Sequence, residues 1–240
     1  MVITKSARYK EILENTMSHS MNRLAALLLV ITAVVAGPVQ AQGLVPYQEG
    51  LHYAKIDKAS AVPGEKVEVV ELFSYLCTHC ATIDPYINSW AAKAPEHVEF
   101  RRIPVVFGRS SWELYARGYV TAEMMGAPEE AHTSMMDRLW KEKKILRNLD
   151  EIAGFYAQFG LDKDKFLSTA RSFAVDGRLR KDQQLVRDYG ITGTPSLVVN
   201  GKYRVSGNAA IPSFDAMLDV VDYLVGVEAS KLRKASAAED

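Results

Sequence analysis

Val67-Glu68-Val69-Val70-Glu71-Leu72-Phe73-Ser74-Tyr75-Leu76-Cys77-Thr78-His79-Cys80 changes its backbone preference part-way along. As far as Tyr75 the residues are β-branched, aromatic and mostly apolar, as in a strand buried on both faces. From Thr78 to Ala94 the apolar positions Ile83, Ile87, Trp90 and Ala91 recur every three or four residues, which predicts a helix, and Pro95 ends it. Val98-Glu99-Phe100-Arg101-Arg102-Ile103 then reads as a second strand. Strand, helix, strand argues for a parallel βαβ unit. The chain's two cysteines stand at the junction between the first strand and the helix.

Downstream the pattern is helical. Ser110 or Ser111 is expected to cap a helix running to Met125, closed by Gly126, and Pro128 suits the first position of another reaching about Lys141. Asn148 and Glu151 form a capping-box pattern for a helix to Phe159, with Gly160 past its end. Asp162 is expected to cap a short helix, and a longer one spans Phe173 to Tyr189, stopped by Gly190. Strand character returns in Ser196–Val199 and Tyr203–Val205, flanking the hairpin signal Asn200-Gly201. A last helix is expected from Pro212 to Val227, with a frayed tail over Ala229–Asp240. Upstream, His52–Asp57 alternates weakly, like an edge strand, and Pro63-Gly64 marks a turn. The order βαβ, helices, ββα describes one α/β domain interrupted by a helical insertion. Residues 42–105 and 176–228 would form the two parts of that domain, 106–175 the insertion.

The N-terminal segment has a different character. Arg23 precedes the apolar run Leu24–Ala36, followed by Gly37-Pro38 and Val39-Gln40-Ala41, the pattern of a secretory signal cleaved after Ala41. The rival, a membrane anchor, wants about 20 apolar residues, and the run is shorter. Met1, Met17 and Met21 are all candidate starts, and Met21-Asn22-Arg23 makes an ordinary n-region. The protein is therefore expected outside the cytoplasm, where disulfides persist. Its 29 basic and 29 acidic residues balance, which gives no reason to expect a nucleic-acid partner. Two cysteines are too few for a disulfide-stapled secreted fold, so the pair is free for chemistry.

At a helix start, Cys77 faces unsatisfied backbone N–H groups and the positive end of the helix dipole, both favouring a thiolate. His79 is placed to add to this. Cys80 lies one turn on, near enough for a disulfide if the backbone permits. Competing uses of the motif fit less well. A structural zinc site wants four ligands, and His52, His97 and His132 show no ligand spacing. Covalent haem attachment needs a histidine where Ala81 stands. An inert crosslink over so short a loop would stabilise little. Met124, Met125, Met135 and Met136 lie at helical spacing; such a stripe is more often core than an adaptable peptide-binding surface.

Two segments resemble one known family. Glu71 to Cys80, with Asp84-Pro85 after it, is similar to the active-site segment of the DsbA family. Gly190-Ile191-Thr192-Gly193-Thr194-Pro195, running on through the Asn200-Gly201 hairpin to Tyr203, is similar to that family's cis-proline loop. The resemblance covers essentially the whole chain after the signal. It implies a thioredoxin fold with an inserted helical domain, and a monomeric periplasmic thiol:disulfide oxidase with no cofactor beyond its Cys77–Cys80 disulfide. By position, Cys77 would be the nucleophile and leaving thiolate, Cys80 its buried partner, and His79 a residue tuning the pair. Glu71 would be a buried carboxylate moving protons to or from Cys80. Pro195 would be a cis-proline opposite the disulfide. The implied partners are reduced exported proteins and a membrane reoxidase of the DsbB type. Two positions depart from the family's best-known members: Thr78 replaces a proline, and Thr194 precedes the cis-proline, as in some disulfide isomerases. Both bear on oxidant strength and substrate release. An isomerase or reductase of the same fold is therefore one alternative. A non-catalytic chaperone or metal carrier is another.

Overall fold

The computed structural model describes residues 46–57 and 64–239. The signal segment through Ala41, the candidate start methionines and Pro63 lie outside the described residues. The elements are β1 (Ala54–Lys55), β2 (Val67–Phe73), α1 (Thr78–Ala91), β3 (Val98–Pro104), α2 (Ser110–Met124), α3 (Glu130–Trp140), α4 (Leu149–Ala157), α5 (Lys163–Ala170), α6 (Phe173–Asp188), β4 (Ser196–Val199), β5 (Tyr203–Ser206) and α7 (Phe214–Glu239).

The described strands form one sheet in the order β1-β5-β4-β2-β3. β2 and β3 run parallel, as the βαβ pattern requires, with Glu71 opposite Arg102, while β4 pairs antiparallel with both β2 and β5. Asn200 and Gly201, with φ of 50° and 63°, close the β4–β5 hairpin with the two left-handed residues that a type I′ turn needs.

β2 is buried along its whole length. Val67 and Val69 face α1 and α7, meeting Ile83, Ile87, Val221 and Leu224. Val70 and Leu72 face the other way, against Val186 and Tyr189. Phe73 and Tyr75 carry this core into the helices that follow β3, packing with Met135, Met136, Ile152, Tyr156 and Phe166. Each fully buried Val, Leu or Phe contributes about 1.5–3 kcal/mol over its exposed state. That surplus lets the same strand bury two carboxylates, Glu68 and Glu71.

Several boundaries differ from the sequence reading. The edge strand is two residues long, and α1 ends at Ala91, three residues before the expected end. Arg109, with no side-chain cap, precedes α2, so neither serine caps it. α3 begins at Glu130, after a turn at Pro128-Glu129. The Asn148 cap is present, but Glu151 reaches back to the Arg147 N–H. Met135 and Met136 are core, whereas Met124 is exposed.

The largest correction concerns the tail. α7 continues to Glu239, and Ala229 is buried in the core that joins the helix to the sheet. Its anchor is Glu228, which accepts from Asn200 Nδ2 at 2.8 Å, Lys202 Nζ at 2.6 Å, Lys231 Nζ at 2.6 Å and the Tyr203 hydroxyl at 3.2 Å. Burial opposes the charge, but these donors outweigh it and hold the carboxyl at about 2. The folded value lies below the unfolded one, so the stabilisation is full above pH 4.5 and lost as pH falls through about 2. Glu228→Gln should cost about 2 kcal/mol at pH 7, or about 4–8 °C in thermal unfolding. The gap to wild type should close as the melts are repeated toward pH 2. A gap that is absent at pH 7, or independent of pH, would show that the anchor does not matter.

Candidate active site

β2 ends at Phe73 and the chain turns at once. The Cys77 N–H bonds the Ser74 carbonyl at 3.0 Å, and the Leu76 N–H bonds Ser74 Oγ at 3.2 Å. This turn leaves Cys77 extended, with φ −102° and ψ 119°, as the N-cap of α1. Its sulfur takes the place a capping side chain would fill, beside the free N–H groups of the first helical turn. Cys77 is half-buried and Cys80, one turn on, is wholly buried.

The two thiols differ in acidity because their surroundings differ. A hydrogen bond from the Cys80 thiol is the largest influence on Cys77. Desolvation opposes it, and Thr194 and the backbone N–H groups of Cys80 and His79 add to it, bringing Cys77 down to about 5. Burial pushes Cys80 far up, and the neighbouring charges of Cys77 and Glu71 push it further. Thr194 approaches from the far end of the chain, its carbonyl oxygen 3.3 Å from Cys77 Sγ. The Thr194–Pro195 peptide bond is cis.

Glu71 lies inside the sheet, bonded by Arg102 Nε at 2.8 Å. Burial raises its carboxyl and Arg102 opposes this, leaving it at about 7. At neutral pH it is thus half protonated, and its charge is felt at Cys80. Arg102 also donates to Asn88 Oδ1 at 2.6 Å and pairs with Glu129. Asp84, on α1 one turn past Cys80, accepts from Asn88 and Thr133 and lies 3.2 Å from His132 Nε2. The sequence reading missed Arg102, Asn88, Glu129 and His132 as parts of this cluster. Only the pairing register of β2 with β3 brings Arg102 opposite Glu71.

A cysteine at a helix start thus has a buried second thiol behind it and a cis-proline loop beside it. The DSBA-like thioredoxin domain family matches residues 68–219. This chain belongs to that family. It is 40% identical over 213 residues to a thiol:disulfide interchange protein DsbA of Azotobacter vinelandii, covering 84% of this chain and 98% of the relative. The crystal structure of Pseudomonas aeruginosa DsbA superposes with a TM-score of 0.71 at 36% identity, covering 81% of this chain and 98% of the other. A Proteus DsbA in complex with a non-covalently bound peptide superposes with a TM-score of 0.64 at 26% identity, covering 75% and 98%. The fold is thioredoxin-like, and the chain is a thiol:disulfide oxidoreductase.

Of the positions read from the DsbA resemblance, Cys77, Cys80, Thr194 and Pro195 come together, with Glu71 beneath them. Thr78 and His79 are exposed on the first turn of α1. His79 acts on Cys77 through its backbone N–H, and its side chain lines a cleft of about 700 Å³. Tyr86, Thr194, Pro195, Phe214 and Met217 line the same cleft. Among the described residues no three His, Cys, Asp or Glu cluster as a metal site. The thiolate absorbance of the reduced protein should rise with a midpoint near pH 5. Thr194→Val, which loses the hydroxyl, should move that midpoint up by about one unit. A midpoint in the ordinary thiol range would remove the assignment of Cys77 as a thiolate.

Proposed function

We propose that this chain oxidises reduced, newly exported proteins in the periplasm, and that the acidity gap between Cys77 and Cys80 gives the exchange its direction. A client thiolate attacks Cys77 Sγ. The Cys77–Cys80 bond breaks, the electron pair stays on Cys80, and a Cys77–client disulfide forms. A thiolate on the buried Cys80 sulfur is costly, so it takes a proton from the carboxylic acid form of Glu71. A second client thiolate then attacks the client sulfur of the mixed disulfide and expels Cys77 as a thiolate. The client leaves oxidised and the enzyme holds two more electrons. Restoring the disulfide returns those electrons to an oxidant, by family a membrane reoxidase of the DsbB type. No further cofactor takes part.

Cys77 is thus the sulfur the client attacks and later the leaving thiolate, Cys80 its buried partner and Glu71 the proton partner of Cys80. Thr194 and Pro195 present backbone and hydroxyl to the client, beside the cleft that His79 borders. That cleft has the size and apolar lining for an extended peptide segment. The helical block 106–175 would roof the buried side of the site, working as an insertion in one monomeric domain. Release of a Cys77 thiolate about two units below ambient pH stabilises the reduced form. Screening at a half-exposed sulfur reduces this to roughly 1–2 kcal/mol, or about 20–40 mV in a two-electron couple.

Thr194 beside the cis-proline favours one second reading, a reductase or isomerase of the same fold. Equilibration with glutathione buffers separates the two. An oxidase should have a potential well above the roughly −270 mV of thioredoxin, and should restore activity to a reduced, disulfide-containing substrate, with Cys77→Ser inactive. A thioredoxin-like potential would turn the assignment to the reductase. Full activity in Cys77→Ser would turn it to a chaperone.

A further inference from the structure

His132, on α3, is 4% exposed and takes no part in the steps above. Phe73 and Tyr119 meet its ring edge-on, with centroids at 4.8 and 5.9 Å, and Tyr75 lies tilted against it at 5.1 Å. Its Nδ1 is 3.1 Å from the Tyr75 hydroxyl, which lies 3.3 Å from that of Tyr156. Its Nε2 is 3.2 Å from Asp84 Oδ1, within ion-pair distance but off hydrogen-bond geometry, and neither atom has a hydrogen-bonding partner. Burial holds the imidazole below its ordinary value, so at pH 7 the ring is neutral with one N–H. A carboxylate can only accept, whereas a hydroxyl can also donate, so the proton belongs on Nε2.

Asp84 Oδ1 therefore stands between two donors: His132 Nε2 at 3.2 Å and Arg102 Nη2 at 4.0 Å. The other oxygen is already held by Asn88 and Thr133. We propose that His132 is a positioning residue: by holding Asp84 Oδ1 it keeps that carboxylate at the 4.0 Å limit of its ion pair with Arg102 and leaves the guanidinium to Glu71. The proposal rests on the reading of Glu71 as the proton partner of Cys80.

The magnitudes decide what happens without His132. Burial raises the Asp84 carboxyl, but His132, Thr133 and Arg102 together hold it below its ordinary value, and Thr133 and Arg102 remain when His132 is gone. Losing one neutral donor is a matter of about 1–3 kcal/mol, about two units at most. A small turn of the carboxylate toward Arg102 instead shortens the 4.0 Å ion pair already there. That outcome wins. Arg102, also engaged by Glu129, then has less to give Glu71, whose carboxyl rises above about 7. The other groups facing the cluster stay in place: Tyr75 after β2, Tyr119 on α2, Thr133 on α3, Tyr156 on α4 and Cys80 on α1.

Two variants separate hydrogen bonding from packing. His132→Phe keeps a ring and removes both nitrogens, whereas His132→Gln keeps a donor for Asp84 and an acceptor for Tyr75. Carbon-13 titration of the Glu71 carboxyl in the reduced, full-length protein should show its midpoint raised by about one unit in the Phe variant and restored in the Gln variant. At pH 7 that shift cuts the ionised fraction about fivefold. An unmoved or lowered midpoint in the Phe variant overturns the proposal, as does a Gln variant that moves equally far. Nitrogen-15 spectra of the unsubstituted protein test it without any variant. A neutral ring protonated on Nε2 at pH 7 to 8 is expected; a charged ring or the other tautomer there overturns it. Glu71→Gln isolates the underlying reading: if exchange with a small dithiol keeps its pH dependence there, Glu71 is not the proton partner. The carboxyl titration still decides the part played by His132.

Discussion

One sulfur of this pair can carry a charge and the other cannot, and the architecture of the site follows from that difference. β2 stops at Phe73 and the turn through Ser74 sets Cys77 at the mouth of α1, where unsatisfied N–H groups receive a thiolate. One helical turn carries Cys80 under the sheet and the aromatic core, where no water reaches it. Three residues of separation therefore span the change from a half-exposed helix start to a dry interior. Neighbouring thiols in like surroundings would compete for one proton. Here the hydrogen bond runs one way, from Cys80 to Cys77, and the competition is settled in advance.

A dry sulfur that must gain and lose a proton needs a partner inside the protein. Glu71 can serve only because two opposed forces nearly cancel on it. Burial alone would keep it protonated at every physiological pH, and an undivided Arg102 would keep it ionised. The guanidinium is shared with Asn88 and Glu129, and the balance falls at about 7. Buried ion clusters seldom add stability once desolvation is counted. The apolar residues of β2 and α1 hold the fold, and the cluster lying between them is free to be tuned.

The fold was legible in the sequence because its signals are local. The period change across Tyr75–Thr78, the Asn200-Gly201 turn and the Asn148 and Asp162 starts each act within a few residues. The failures are also physical. Ala229 and Lys231 sit in a small, polar-rich stretch that reads as a tail, yet Glu228 and the β4–β5 hairpin draw it into the core. Residues 98–103 read as a strand, but the inward turn of Arg102 does not show, because its partner lies on the neighbouring strand and leaves no trace in local composition. Nothing in the spacing of the histidines marks His132. Its role depends on Asp84, which only the packing of α3 on α1 brings within reach.

Distance along the chain also separates the controls on the two sulfurs. Thr194 arrives on the loop before β4 and acts on Cys77 at the surface, where a client peptide would also press. Arg102, Asp84 and His132 reach Glu71 and Cys80 from beneath, out of contact with any client. Changes on the loop alter the leaving thiolate and the fit of the peptide together. Changes in the buried cluster alter proton traffic while the client-facing surface stays as it was. Release of the client and restoration of Cys80 can therefore be adjusted separately, although the two sulfurs stand one helical turn apart.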